Sequence, residues 1–159
     1  MNEEYKNFLQ GARKKPITTH FTMFDICNSS TAIAKNIDNR PTTQIVVNAT
    51  ALIKNVLEPT RIHFNTPLIV NCMYRSPQLN TAVGGVATSQ HVKGQAADIT
   101  VQNHTVQEVF DYIKNNLIFD QLIHEGTWVH GSFSLVHNRK ESLKLVNGKY
   151  IQAWNVKTV

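Results

Sequence analysis

The sequence predicts an α+β fold in a single domain, with a central, mainly antiparallel sheet and helices packed on it. Three observations lead there. One stretch repeats its apolar residues at helical spacing behind a capping signal. Four short apolar runs read as strands. An Asn-Gly pair joins two further apolar runs near the C-terminus. At 159 residues the chain is of single-domain size and long enough to bury a core. A hydrophobic fraction of 42% argues against disorder.

Residues 1–18, with the basic cluster ARKK at 12–15, are expected to form a solvated N-terminal tail, and residues 19–159 the domain. The segment NRPTTQIVVNATALIKNVLEP reads as a helix. Pro41 suits a first helical position, and Ile45, Ala49, Leu52, Ile53 and Val56 share one face. Pro59 is expected to stop it. PLIVNCMYR reads as a buried strand. SPQLNTAVGGVATSQH reads as a long connection around Gly84-Gly85. QAADITV is a second strand. NHTVQEVFDYIKNNL is the clearest helix: Thr105 and Glu108 make a capping box, and Val106, Val109, Phe110, Ile113 and Leu117 form its apolar stripe. FDQLI and WVHGSFSLV follow as strands. NRKESLKLVNGKYIQAW is a terminal hairpin turning at Asn147-Gly148.

The net charge of +5 favours anionic partners, among them nucleic acid, membrane surfaces and anionic cell-wall polymers. The basic residues are scattered, without the aromatic interleaving of single-strand binders, so no nucleic-acid partner is expected. No apolar run approaches the ~20 residues of a membrane span, so no membrane insertion is expected either. The N-terminus carries no apolar leader, so action outside the cytoplasm would need another delivery route. The chain is expected to be a monomer. Cys27 and Cys72 have no zinc-finger spacing and read as small buried residues or as one disulfide.

The chemistry concentrates in SQHVKGQAADIT. His91 and Asp98 flank Gly94, which allows a turn, while Ala96 and Ala97 keep bulk away. Zinc hydrolases use three protein ligands from His, Asp, Glu or Cys and leave a fourth position open. His91 and Asp98 supply two. His130, on the strand WVHGSF, is the best-placed third. Glu125 is the carboxylate near it in sequence that could act as base. The stretch HEGTWVH is not a helical HExxH site, because Trp128 holds the fifth position and Gly126 and Thr127 are poor helix formers. That leaves His124 as a structural or rim residue rather than a ligand. Tyr74 and Trp128 read as core residues or as a groove lining. Asp120, His63, His104 and His137 have no motif support.

SQHVKGQAADI resembles the SxHxxGxAxD motif of the M15 peptidases, the D-Ala-D-Ala carboxypeptidase and peptidoglycan endopeptidase group. WVH resembles their second metal motif. The likeness runs from HFTMFDICNSSTA to WVHGSF and is nearest to small phage-encoded members. It implies a hedgehog/DD-peptidase-like fold with zinc at the sheet, held by His91, Asp98 and His130, and Glu125 as the base. It further implies that Arg75 of the YRS stretch and Ser89 meet the substrate. Without the family, Arg75 could equally be an ion-pair partner and Ser89 a turn residue. Where the family often has Ser-Gly, this chain has Cys72-Met73. The implied function is a zinc metallopeptidase acting on peptidoglycan peptides at the bacterial cell wall. The alternative is a non-catalytic zinc-binding wall or virion module.

Overall fold

Helix-period segments dominate the first part of the chain and strand-period segments the last, and the strands assemble as one sheet whose apolar face packs on helices. The computed structural model describes residues 3–153. The helices are α1 (Glu3–Ala12), α2 (Met23–Cys27), α3 (Ser30–Ala34), α4 (Thr43–Leu52), α5 (Glu58–Phe64), α6 (Pro77–Ala82) and α7 (Val106–Asn116). The strands are β1 (Leu68–Cys72), β2 (Ala96–Val101), β3 (Gln121–His124), β4 (Val129–Ser132), β5 (Glu141–Val146) and β6 (Lys149–Gln152). Their order in the sheet is β1-β2-β4-β3-β5-β6. Every neighbouring pair is antiparallel except β3 with β5.

The strand period decides what each face carries. Leu68, Val70, Ala97, Ile99, Val101, Leu122 and Val129 turn towards the helices and join Leu52, Ile53, Val56, Val109, Phe110 and Ile113 in the main core. The helix α7 forms as the pattern requires. Thr105 accepts from the Glu108 N–H, and the Glu108 carboxylate accepts from the Thr105 N–H at 2.7 Å. The hairpin at Asn147-Gly148 is present as β5–β6; the expected segment's Trp154 lies outside the described residues.

Three expectations need correction. The long helix begins at Thr43 behind the cap of Thr42, not at Pro41. Nor does it stop at Pro59. A π-helical turn over Ile53–Leu57 widens the ladder, and the chain runs on through α5 with Pro59 in its first turn. A widened turn removes the clash a proline ring makes with the preceding carbonyls. The Thr60 hydroxyl satisfies the Val56 carbonyl at 2.7 Å. The connection after β1 is not free of structure: Ser76 caps α6, and Leu79 is buried beneath it.

The N-terminal segment is also more ordered than a tail. Helix α1 buries Tyr5, Leu9 and Ala12 against Cys27, Ala32, Ile37 and Leu79, forming a second apolar cluster. The Tyr5 hydroxyl donates to the Cys27 carbonyl at 2.7 Å. Both cysteines are free thiols. No helix is long and apolar enough to cross a membrane among the described residues.

Candidate metal centre and cleft

The open face of the sheet carries the site. Register pairs Cys72 with Asp98 and Asp98 with His130, so three strands present these residues as one row. A β-bulge between Val70 and Cys72 re-aims the end of β1 towards the row. His91 reaches it from outside the sheet, on a 3₁₀ turn over Gln90–Lys93. Ser89 caps that turn by accepting from the His91 N–H at 3.3 Å. Gly94 ends it at φ 68°, in the left-handed region. A Cβ at Gly94 would lie 2.8 Å from the Ile45 carbonyl oxygen, so glycine is also needed for close approach to α4.

Two ring nitrogens converge on one carboxylate oxygen. His91 Nε2 lies 3.4 Å and His130 Nδ1 3.0 Å from Asp98 Oδ1. The His91 Nδ1–H donates to the Met73 carbonyl at 2.7 Å, which leaves Nε2 as the nitrogen that faces Asp98. Burial pushes the Asp98 carboxyl up, but hydrogen bonds from His130 and His91 outweigh it. The group is held well below the usual carboxylate range. A charged carboxylate and two imidazoles make a donor set that suits zinc.

Cys72, His91 and Asp98 also offer ligand atoms that all lie within 4.8 Å of one another. One feature weighs against this set. The Cys72 sulfur stands 3.8 Å from His91 Nδ1, the nitrogen already engaged by Met73. Burial pushes the Cys72 thiol up to about 11, so Cys72 would release a proton on taking a metal.

Around the row lies a cleft of about 750 Å³, whose walls include Arg75, Ser89, Glu125, Trp128, Arg139 and Tyr150. All six residues expected at the site therefore meet in one place. Arg75 donates to Ser89 Oγ at 3.3 Å, and its buried Nε has no partner. Among the described residues Arg75 makes no ion pair; its side-chain partner is Ser89. Glu125 follows β3 and is half-buried. Burial raises its carboxyl, and Tyr150 and His130 partly offset that rise. His124 points the other way, its ring edge-on to Phe110 on the helix side at 5.9 Å. Tyr74 belongs to the core, whereas Trp128 is 37% exposed on the cleft.

The family model for peptidase M15 matches residues 19–133, from before α2 to the end of β4, and so spans Arg75, Ser89, His91, Asp98, Glu125 and His130. The chain belongs to the peptidase M15 family. A comparison with curated proteins gave no match. The hairpin β5–β6 follows the matched segment of this M15 peptidase, yet Leu143 and Tyr150 line its cleft.

Sequence reading missed two polar hubs that hold the peptidase site in shape. Asp120, 4% exposed, accepts from Arg139 through the backbone N–H and the guanidinium, and from Gln90 Nε2 at 2.9 Å. It thereby ties the turn carrying His91 to the start of β3. Asn39, fully buried, donates to the Cys27 and Tyr74 carbonyls and accepts from the Ser76 N–H at 2.7 Å. That fixes the backbone on both sides of Arg75. Neither residue stands in a motif; their partners are dozens of residues away or across a loop.

Proposed function

We propose that this M15 peptidase is a zinc-dependent hydrolase of peptide bonds in bacterial peptidoglycan, acting on stem peptides or cross-links. The reading is carried by one observation: His91 Nε2, Asp98 Oδ1 and His130 Nδ1 converge in a cleft beside an Arg75 without an ion-pair partner. His91, Asp98 and His130 would hold the metal. When bound, zinc supplies Lewis acidity that polarises a carbonyl and makes water more acidic.

The remaining roles belong to the chain. Arg75 offers a planar fork to a carboxylate or a polarised carbonyl of the peptide. Ser89, bonded to that fork, keeps it aimed into the cleft. Glu125 takes a proton from the attacking water and returns it to the leaving amine, so the C–N bond breaks without a covalent enzyme intermediate. Burial raises its carboxyl, the direction that strengthens a proton acceptor. Peptidoglycan peptides bear the carboxylates that Arg75 and a basic chain attract.

The test combines metal analysis of the purified protein with mass spectrometry of peptidoglycan fragments after incubation. About one zinc per chain and a defined new peptide terminus are expected. His91→Ala and Asp98→Ala should each lose both. Undiminished cleavage by either variant would refute the metal assignment, and zinc retention with no new terminus would refute catalysis.

A further inference from the structure

We propose that Tyr150 is a positioning residue for Glu125, carried to the cleft by a hairpin that lies beyond the segment matched to the family. The proposal rests on Glu125 being the proton-transfer group.

Register explains how the two residues meet. The parallel ladder between β3 and β5 runs from Gln121↔Glu141 to His124↔Lys144. One step further brings Glu125 level with Leu145, and Leu145 pairs with Tyr150 across the β5–β6 hairpin. The strand period puts Tyr150 on the same face as Asp98, His130, Ile123 and Leu143. Its hydroxyl lies 3.3 Å from one Glu125 oxygen and 3.4 Å from the other. A donor shared between both oxygens restrains the rotation of the carboxylate. Glutamate has three side-chain torsions to restrain, and tyrosine is a stiff strut for the purpose.

The titratable groups facing Glu125 are Tyr150 from β6, His130 from β4 and Asp98 from β2. The phenol of Tyr150 is itself raised, by burial and by the Glu125 charge, so it remains a donor where the enzyme works. The matched family segment ends at residue 133. The hydroxyl therefore comes from a hairpin outside the matched segment, while Glu125 lies inside it.

The experiment uses the full chain and Tyr150→Phe, which keeps the ring and removes only the hydroxyl. The carboxyl titration of Glu125 is followed by carbon NMR in both proteins, its signal identified by its loss in Glu125→Gln. Losing a hydrogen bond to the charged form should move the Glu125 titration upward in Tyr150→Phe. With soluble muropeptides, kcat should fall about 3- to 10-fold and its acidic limb should move the same way, with KM little changed. A Glu125 titration identical in the two proteins overturns the proposal. So does a defect confined to KM. If Glu125→Gln still cleaves while the Tyr150→Phe titration shifts, the base assignment under the proposed function fails and takes the catalytic consequence with it. The titration tells the two failures apart.

Discussion

Replacing Gly94 with alanine tests how the fold sets the His91–Asp98 spacing. Two effects act on that residue. Its φ of 68° places an L side chain in the left-handed region, which costs about 1–2 kcal/mol. Its new Cβ would also lie 2.8 Å from the Ile45 carbonyl oxygen and 2.9 Å from Ile45 Cγ2, so the turn and α4 must separate. Overpacking of that kind costs a further ~1–3 kcal/mol. Backbone cannot swing away as a side-chain tip can, and the Asn48 side chain also ties α4 to the Lys93 carbonyl at 2.8 Å. The expected total is about 2–5 kcal/mol. Gly84 provides the control: its φ is 74°, and a Cβ there would meet nothing within 4 Å. Gly84→Ala should therefore cost the conformational part alone, about 1–2 kcal/mol. Urea unfolding reads the difference. With a slope near ~2 kcal/mol/M, Gly94→Ala should lower the midpoint by about 1–2.5 M, and Gly84→Ala by about 0.5–1 M. Equal losses in the two variants would refute the claim that contact with α4, rather than φ alone, requires glycine at this turn.

Two further outcomes follow from the site. Glu125→Gln should retain zinc while losing cleavage by about 10²–10⁴-fold, measured on the same peptidoglycan fragments; turnover near the native rate would assign the proton transfer elsewhere. Asp120 is held down to about 2, since hydrogen bonds from Arg139 and Gln90 outweigh the burial that pushes it up. A depressed carboxyl contributes stability above its unfolded value of roughly 3.9, and that contribution is lost as pH falls towards about 2. The shift corresponds to at most ~2.6 kcal/mol. The half-exposed Arg139 screens this to about 1–2 kcal/mol. Asp120→Asn should flatten the stability curve between about pH 4 and 2, checked by urea titrations across that range.

Local chemistry made much of this chain legible before any fold was known. The Thr105–Glu108 capping box, the 3.6-residue stripe of α7, the period of β2 and the Asn147-Gly148 turn each act within a few residues, so their consequences can be read along the chain. The same holds for the short motif that sets His91, Gly94 and Asp98 in order. The course of the chain past Pro59 was not legible, because a π-helical turn held by the burial of Val56 and Leu57 overrides a local stop signal. The order of the strands was equally hidden.

By itself, the sequence singled out His91, Asp98 and His130 as candidate metal donors, placed Asp98 and His130 on strands, and put a turning glycine between His91 and Asp98, but it did not bring Cys72 to them. Tertiary structure alone decided that β3 and β5 run parallel, which brings Tyr150 level with Glu125. It alone decided that Asp120 joins the turn of His91 to Arg139. It also selects which nitrogen of His91 faces Asp98, since the Met73 carbonyl occupies the other. The physical reason is common to all three: each depends on a hydrogen bond between segments far apart in the chain, and only the packing of the sheet sets those distances.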